Sequence, residues 1–313
     1  MINFVQQRRL FFTIAGVLIG LSVIALAASA LIFNGQALRI SIDFTGGTLF
    51  VLKFEEPVTE VAIRDVFVAD DHAGPIVQQL GAAGENLWQV RTRFADADEV
   101  QKILNDLDAQ VGKIDLNLSN YNTVEPTVGA EVAQQAALAV LVASIAVLGF
   151  IWFSFRRVPN PFRYGVVSIA AMLVNVTVTL GFFALMGILQ GWEADALFLT
   201  ALLTVIGFSV QDVIVVFDRI RENIPRHRGE PFELVVNRSV LETVHRSLAT
   251  QLNAMFVMIA ILLFGGATIK PFIAVMLVGM ISETFTSLCV AVPLLVVWED
   301  RSHRHAVRAR ASA

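Results

Sequence analysis

Six apolar runs, each long enough to cross a hydrocarbon layer, limit the folds open to this chain. A transmembrane helix needs about 20 largely apolar residues to span roughly 30 Å. With 56% hydrophobic residues, 16% charged residues and a mean hydropathy of +0.67, the composition is also that of an integral membrane protein. The sequence predicts six transmembrane helices at residues 10–33, 133–155, 164–189, 196–217, 247–265 and 271–298.

Arginines set the expected orientation of these spans, because short cytoplasmic connections concentrate Lys and Arg. Arg8 and Arg9 precede the first span, and arginines also fill the connections after the second and fourth spans and the end of the chain. The opposite connections, 190–195 and 265–270, carry only Lys270. We therefore expect both termini in the cytoplasm.

The first span admits a second interpretation, because "AASA" at 27–30 is typical of a signal-peptide cleavage site. The apolar run from Leu10 to Phe33 is longer than the usual signal core of about 7–15 residues. A retained membrane anchor is therefore the better interpretation.

Residues 34–132 form the long polar segment, which this orientation places outside. Residue spacing predicts strands at 46–54, 74–80, 86–94 and 113–124, and helices at 59–70 and 96–111. Asp96 is the expected N-cap of the second helix. The order βαββαβ predicts an external ferredoxin-like α+β domain after the first transmembrane helix.

Four regions follow from this pattern. They are a cytoplasmic N-terminus with the first helix (1–33), the external domain (34–132), a five-helix transmembrane bundle (133–298) and a basic cytoplasmic tail (299–313). The external segment holds 7 basic against 16 acidic residues, a balance that disfavours nucleic acid as a partner.

The sequence lacks the common motifs of enzymes and cofactor-binding proteins. It contains no Walker loop, dinucleotide fingerprint, HExxH or nucleophile elbow, and Cys289 stands alone in the sixth span. We therefore expect a protein that is not an enzyme and has no cofactor or metal site.

A carboxylate, Asp212, lies within the apolar part of the fourth span. It is six residues deeper than Asp218, or about 9 Å along a helix. A charge at that depth costs several kcal/mol unless it faces a partner or water, and proton uptake avoids that cost, so Asp212 is a candidate site for binding and releasing a proton. Arg246, at the cytoplasmic end of the fifth span, is the nearest cation in the linear topology; the alternative is an arginine that extends to the lipid headgroups.

Further polar residues occur in the same spans. Thr250 and Gln251 follow Arg246, Asn175 lies on a polar face of the third span, and Gln211 precedes Asp212. Such residues either line a polar path or form hydrogen bonds between helices, and the sequence leaves both interpretations open.

Several stretches resemble a known family. They are "DFTGG" (43–47), "VEPTVGAEV" (124–132), "GFSVQDVIVVFDRIREN" (207–223), "NRSVLETVHRSLAT" (237–250) and "FGG" (264–266), and together they resemble the protein translocase subunit SecF of the SecD/SecF family, within the resistance-nodulation-division superfamily.

The resemblance implies a function in protein export. It implies pairing with SecD beside the SecYEG channel, with YajC as a further candidate partner, in the bacterial cytoplasmic (inner) membrane. It also implies that the H⁺ or Na⁺ gradient is used to pull a preprotein outward. The family's intramembrane aspartate falls on Asp212 and its functional arginine on Arg246.

The DFTGG motif, with Asp43, Phe44, Thr45, Gly46 and Gly47, is by the same resemblance a family element where the first helix meets the external domain. Its glycines permit backbone angles closed to other residues, which suits a tight turn into the first strand. For Asp43 and Thr45 we expect capping of a turn rather than contact with substrate.

Some residues depart from the family pattern and leave the coupling ion open. Gln211 and Val213 replace the usual Asn and Thr around the aspartate, and Gln251, Leu252 and Asn253 replace a Ser/Thr-rich run. Glu283 stands where the family usually has glycine.

Glu283 could complete an oxygen-rich ion site with Asp212 and Asn175, with Thr286 and Ser287 on its own face, or it could serve only as a hydrogen-bond donor between helices. Two other functions also remain: a passive scaffold for SecD and the channel, and a small-molecule efflux permease, which the small external segment disfavours.

Overall fold

A computed structural model describes residues 5–33, 35–70, 72, 74–80, 84–156, 161–227, 229–266 and 269–299. Of the expected features, Arg157, Arg228 and the basic tail beyond residue 299 lie outside the described residues. The described chain divides into two units. One, the helical unit, comprises the chain up to Ala28 with Val140–Ala184 and the residues from Leu197 onward; the other, the sheet unit, comprises Ser29–Ala139 with Leu185–Ala196.

Within the described residues, six helices are long and apolar enough to cross a membrane, in agreement with the predicted number of spans. Most extend beyond the predicted limits, because polar sequence at their ends continues the helix; the largest extension adds about four turns before the predicted fifth span. The six are α1 (Arg8–Ile32), α5 (Pro126–Phe155), α6 (Pro161–Gln190), α7 (Ala196–Arg226), α8 (Phe232–Phe264) and α9 (Lys270–Glu299).

The sheet unit contains a four-stranded antiparallel sheet after the first helix. Its strands are β1 (Gly47–Lys53), β2 (Ile76–Leu80), β3 (Leu87–Thr92) and β4 (Asn120–Val124). They pair in the order β2-β3-β1-β4, and the helices α3 (Glu60–Ala69) and α4 (Ala97–Gln110) provide the two crossovers. This is the order of a ferredoxin-like sheet, so the predicted fold class is confirmed.

Alternating side chains of this sheet pack against the two helices. Phe50 and Leu52 of β1 are fully buried, and the ring of Phe50 meets that of Phe67 of α3 edge to face at 5.3 Å. The helix α4 adds Ile103 and Leu107, which lie one turn apart on its buried face. Asp96 caps α4 as predicted, in a capping box that Glu99 completes.

The strand predicted at 113–124 was wrong over its first half. Ile114 makes only an isolated bridge with Phe54, and its N–H donates to the carboxylate of Asp108. The Asp115 carboxylate then accepts the N–H of Asn117, which turns the chain before β4. The alternating apolar residues of "IDLNL" are typical of a strand, but these local side-chain bonds favour a turn.

The helical unit packs around one face of α7. Val213, Phe217 and Ile220 recur at helical spacing and are buried, and the ring of Phe217 meets Tyr164 of α6 edge to face at 5.2 Å. Small residues allow close approaches elsewhere in this unit. A Cβ added at Gly279 of α9 would lie 2.4 Å from a methyl carbon of Val205 of α7, so this helix pair tolerates only glycine there.

Polar side chains hold the ends of α7 and α8 together. Arg219 Nε donates to Glu242 at 2.6 Å, and the buried Asn223 amide donates to Ser239 at 3.0 Å and to Glu242 at 2.9 Å. These bonds fix how the two helices are aligned, and therefore which residues further along α7 and α8 face each other.

The two glycines of the DFTGG motif allow close approach of backbone to backbone. The motif begins in a single helical turn, α2 (Ile42–Thr45), and Gly46 and Gly47 follow with φ values of 71° and 123°. A Cβ at Gly46 would lie 2.5 Å from Cα of Pro126, the first residue of α5. A Cβ at Gly47 would lie 2.7 Å from the carbonyl oxygen of Thr92.

We predict that Gly46→Ala destabilises the protein more than Gly74→Ala does. Both glycines have positive φ, 71° and 72°, but a Cβ at Gly74 would meet no atom within 4 Å. A positive φ disfavours alanine in both variants, but Gly46 also has a ψ of 171° and so lies in a region essentially limited to glycine, and only Gly46→Ala adds a backbone collision. The midpoint of thermal unfolding of the purified protein checks this; equal midpoints for the two variants would contradict it.

Candidate functional site

Asp212 faces a second carboxylate in the helical unit. The side-chain amide of Gln251, on α8, donates to Asp212 Oδ2 at 2.8 Å and to Glu283 Oε2 of α9 at 2.9 Å. One amide nitrogen thus connects carboxylates from two other helices. We call Asp212, Gln251 and Glu283 the carboxylate cluster.

Burial differs across the carboxylate cluster. Glu283 is 2% exposed and Gln251 5%, whereas Asp212 is half-buried. Among the described residues, Glu283 Oε1 and Gln251 Oε1 are buried acceptors that have no hydrogen-bond donor. Both N–H groups of the Gln251 amide are needed for the two carboxylates, and the buried Ser247 hydroxyl is a further donor beside Asp212, so Glu283 Oε1 and Gln251 Oε1 remain without one.

A small cavity of about 40 Å³ adjoins the carboxylate cluster. Two other predicted site residues, Gln211 and Thr250, line it beside Asp212, and both are exposed at the surface of the helical unit. The remaining lining is apolar and comprises Phe208, Ala254 and Met280. The cavity is large enough for a water molecule or a bare ion.

Asn175 does not line this cavity. It is fully buried, and its amide donates to Ser209 Oγ at 2.7 Å, which joins α6 to α7 three residues before Asp212. Of the two interpretations left open by the sequence, this bond favours hydrogen bonding between helices for Asn175. Ser209 was missed in the sequence because a single serine in an apolar run gives little signal.

Arg246 is exposed and is not among the residues that line the cavity. Its backbone carbonyl accepts a hydrogen bond from Thr250 Oγ1 at 3.0 Å, so it lies one helical turn before a lining residue and on the same face of α8. The structure therefore places the backbone of Arg246 one turn from a residue that lines the cavity, and the described ion pairs do not include one between Arg246 and Asp212.

The helix α9 changes its hydrogen bonding directly after Glu283. Thr286–Ala291 form a π-helical segment, a feature that often accompanies functional sites. Thr286 and Ser287 donate to the carbonyls of Glu283 and Thr284 in their own helix. Their hydroxyls do not line the cavity, so the oxygen-rich face expected for them beside Glu283 is not seen.

The DFTGG motif has its own contacts, within the sheet unit. The Asp43 carboxylate accepts the N–H of Ala196, the first residue of α7, at 3.2 Å, and Arg91 donates to Thr45 Oγ1 at 2.5 Å. Thr45 Oγ1 also donates to the Ser41 carbonyl within the turn, whereas Asp43 bonds to the start of a distant helix and the N-cap of its own turn is Ser41. Phe44 is half-buried.

A buried ion pair lies beside this motif, and sequence reasoning missed it. Arg39 Nη2 contacts Glu193 Oε1 at 2.8 Å, and the two side chains are 5% and 7% exposed. Arg39 also donates to Gln78 of β2. Burial raises the pKa of Glu193 and lowers that of Arg39, so the removal of both charges from water offsets much of their attraction. The residues are 154 positions apart in sequence, so no local pattern signals the pair.

The described residues contain no group of three or more His, Cys, Asp or Glu side chains placed to hold a metal ion. Two carboxylates that share one amide donor can take up and release a proton or another small cation.

Comparisons with known proteins agree with these features. The family model for the C-terminal part of the protein export membrane proteins SecD/SecF matches residues 103–301, and the SecD/SecF GG motif matches residues 38–58, which include DFTGG.

Curated relatives cover nearly the whole chain. The protein translocase subunit SecF of Anaerolinea thermophila is 40% identical over 306 residues, which are 97% of this chain and 96% of that protein. The SecF subunit of Thermobaculum terrenum is 40% identical over 310 residues, 96% of this chain and 95% of that protein.

A solved structure is also similar. The crystal structure of SecDF, a translocon-associated membrane protein from Thermus thermophilus, matches 96% of this chain with a TM-score of 0.78 and 28% identity. This chain spans 39% of that longer chain. From the family models, the curated relatives and the shared fold, the chain belongs to the SecD/SecF family of protein export membrane proteins, as a protein translocase subunit of the SecF type.

Proposed function

We propose that this chain works with SecD to use a transmembrane ion gradient to drive preprotein export at the SecYEG channel. The observation that carries the proposal is the pair of carboxylates, Asp212 and Glu283, that a single amide of Gln251 connects inside the apolar helical unit. Intramembrane ionisable groups are costly, and in membrane proteins they mark ion pathways.

The partly exposed Asp212 is the group of this pair that exchanges an ion with water. It borders the cavity on the same side as the exposed Gln211 and Thr250, whereas Glu283 lies deeper. Moving one charge through the membrane field releases about 2.3 kcal/mol per 100 mV. The energy for export then comes from the gradient, and the chain itself needs neither enzymatic activity nor a cofactor.

The proposed partners are inferred from similar proteins, not from contacts within this chain. The similar SecDF crystal structure is described as translocon-associated, and this chain spans 39% of it, which supports a SecD-type protein as the partner for the remainder. The proposal extends to the bacterial cytoplasmic membrane, with both termini inside as the arginine-rich connections favour, and to SecYEG and YajC as further partners.

We predict that Asp212→Asn abolishes gradient-dependent export while leaving the protein folded and bound to SecD. Asn keeps the shape and can still accept from Gln251, but it cannot take up a proton or balance a cation. Export into inverted membrane vesicles after the ATP-driven step, with an imposed ion gradient, measures the effect.

Asp218→Asn is the matched control, because Asp218 is on the same helix, pairs with Arg221 at 2.8 Å and has a side chain that is 49% exposed. This variant should export at the wild-type rate. If Asp212→Asn, at equal abundance, also exports at the wild-type rate, the chain is a passive scaffold and the proposed function is wrong.

For Arg246 we predict that Met abolishes gradient-driven export and that Lys retains part of it. The backbone of Arg246 lies one turn before Thr250, which lines the cavity, so its long side chain can bring a positive charge that favours the ionised carboxylate; lysine keeps the charge but loses the planar set of donors. Arg238→Met on the same helix, where Arg238 pairs with Glu230 at 3.3 Å, is the control. Normal export by Arg246→Met would mean that the arginine only extends to the headgroups.

A further inference from the structure

The carboxylate cluster has more negative charge than its surroundings neutralise. Asp212 comes from α7, Gln251 from α8 and Glu283 from α9, and the residues that line the adjoining cavity include no Lys, Arg or His. The nearest described cation on these helices, Arg246, lies one turn beyond Thr250 and is exposed. When both carboxyls are ionised, the cluster therefore has a charge of two negative units with no opposite charge among its lining residues.

Two carboxylates so placed cannot both stay ionised without a counterion. The bonded oxygens of Asp212 and Glu283 each lie about 3 Å from the same nitrogen, so they are at most about 6 Å apart. At that separation, and with Glu283 2% exposed, like charges repel strongly because little water screens them. One cation must therefore accompany the pair.

The hydrogen-bond inventory indicates where that cation binds. Glu283 Oε1 and Gln251 Oε1 are buried acceptors without a donor in the part of the chain that the structure describes. The hydroxyl hydrogen of Thr250 is committed to the Arg246 carbonyl, so its lone pairs remain available beside the cavity. A buried acceptor without a partner is unfavourable, and a cation among these oxygens would remove that cost.

We propose that Asp212 and Glu283 together bind one small monovalent cation, a sodium ion or a proton, so that Glu283 is a second ion-binding residue of this chain. The inference rests on the proposed function, because it names the unit that responds to the gradient. The cavity of about 40 Å³ admits a bare ion or a water molecule, and oxygen ligands suit a hard cation such as sodium. Glu283 forms the dry end of the site and Asp212 the end that exchanges with water.

Infrared difference spectroscopy on the purified complex with SecD, in lipid bilayers, tests the proposal because it detects carboxyl groups directly. One set of spectra compares sodium with a bulky organic cation at constant pH, and a second compares two pH values without sodium. The proteins are wild type, Glu283→Gln, Asp212→Asn and the control Glu131→Gln, which removes an exposed glutamate on α5.

In the sodium case, adding sodium changes the carboxylate bands of wild type, and either cluster variant loses the signal or weakens sodium affinity about tenfold or more. In the proton case, sodium has no effect, and the pH-dependent carboxyl band of wild type is lost in Glu283→Gln. Glu131→Gln behaves as wild type in both cases. The proposal is overturned if the spectra of Glu283→Gln superimpose on those of wild type in both sets.

Assembly is checked by recovery of SecD with each variant. Should Glu283→Gln fail to assemble, Asp212→Asn remains decisive, because unchanged cation binding in that variant would also overturn the proposal. The two levels fail differently. If Asp212→Asn loses export but the spectra of Glu283→Gln match those of wild type, the proposed function stands and the shared cation site is refuted. If Asp212→Asn exports normally but the spectra of Glu283→Gln are altered, the shared cation site stands and the proposed function is refuted.

Discussion

The absence of water from the hydrocarbon core is the constraint on which the arrangement of this protein depends. There, a carboxylate must find its hydrogen-bond donors within the protein or at a water-accessible cavity. Gln251 meets this requirement for two carboxylates at once, and it does so only if α7, α8 and α9 converge at one level. The hydrogen bonds of the site therefore depend directly on how these three helices pack.

Contacts distant from the carboxylate cluster keep the three helices aligned. Near one end of α7, Asn223 and Arg219 bond to α8, and in its other half Val205 meets Gly279 of α9 at a distance that excludes a Cβ. Two such contacts define both the separation and the rotation of the helices. Asp212 lies between them in sequence, so its position relative to Gln251 and Glu283 follows from packing on both sides.

Much of this fold could be predicted from sequence, because its signals are local. Apolar length predicts the six spans, and periodicity with a capping aspartate, Asp96, predicts the second helix of the ferredoxin-like domain. The strand predicted at 113–124 does not form over 113–119. Apolar and polar residues alternate there, but the carboxylates of Asp108 and Asp115 accept backbone hydrogen bonds that favour a turn, and these bonds cannot be identified before the fold is known.

The individual residues of the candidate site could be predicted from the sequence, but the contacts between them could not. A carboxylate in an apolar run is conspicuous, so Asp212 and Glu283 are readily identified. That Gln251 connects them, that Asn175 bonds instead to Ser209, and that Arg246 is not paired with Asp212 in the described contacts all depend on helix rotation, which periodicity does not specify.

The side chains at positions 251 and 283 depend on each other for a physical reason. A buried glutamate on α9 would lack a donor if the facing residue of α8 had the short side chain of serine or threonine. The longer amide of Gln251 reaches both Glu283 and Asp212 and supplies one N–H to each. The two residues therefore depend on each other, because without Glu283 one N–H of Gln251 would lose its acceptor. A chain with only one of them would carry a buried polar group that its neighbours cannot satisfy.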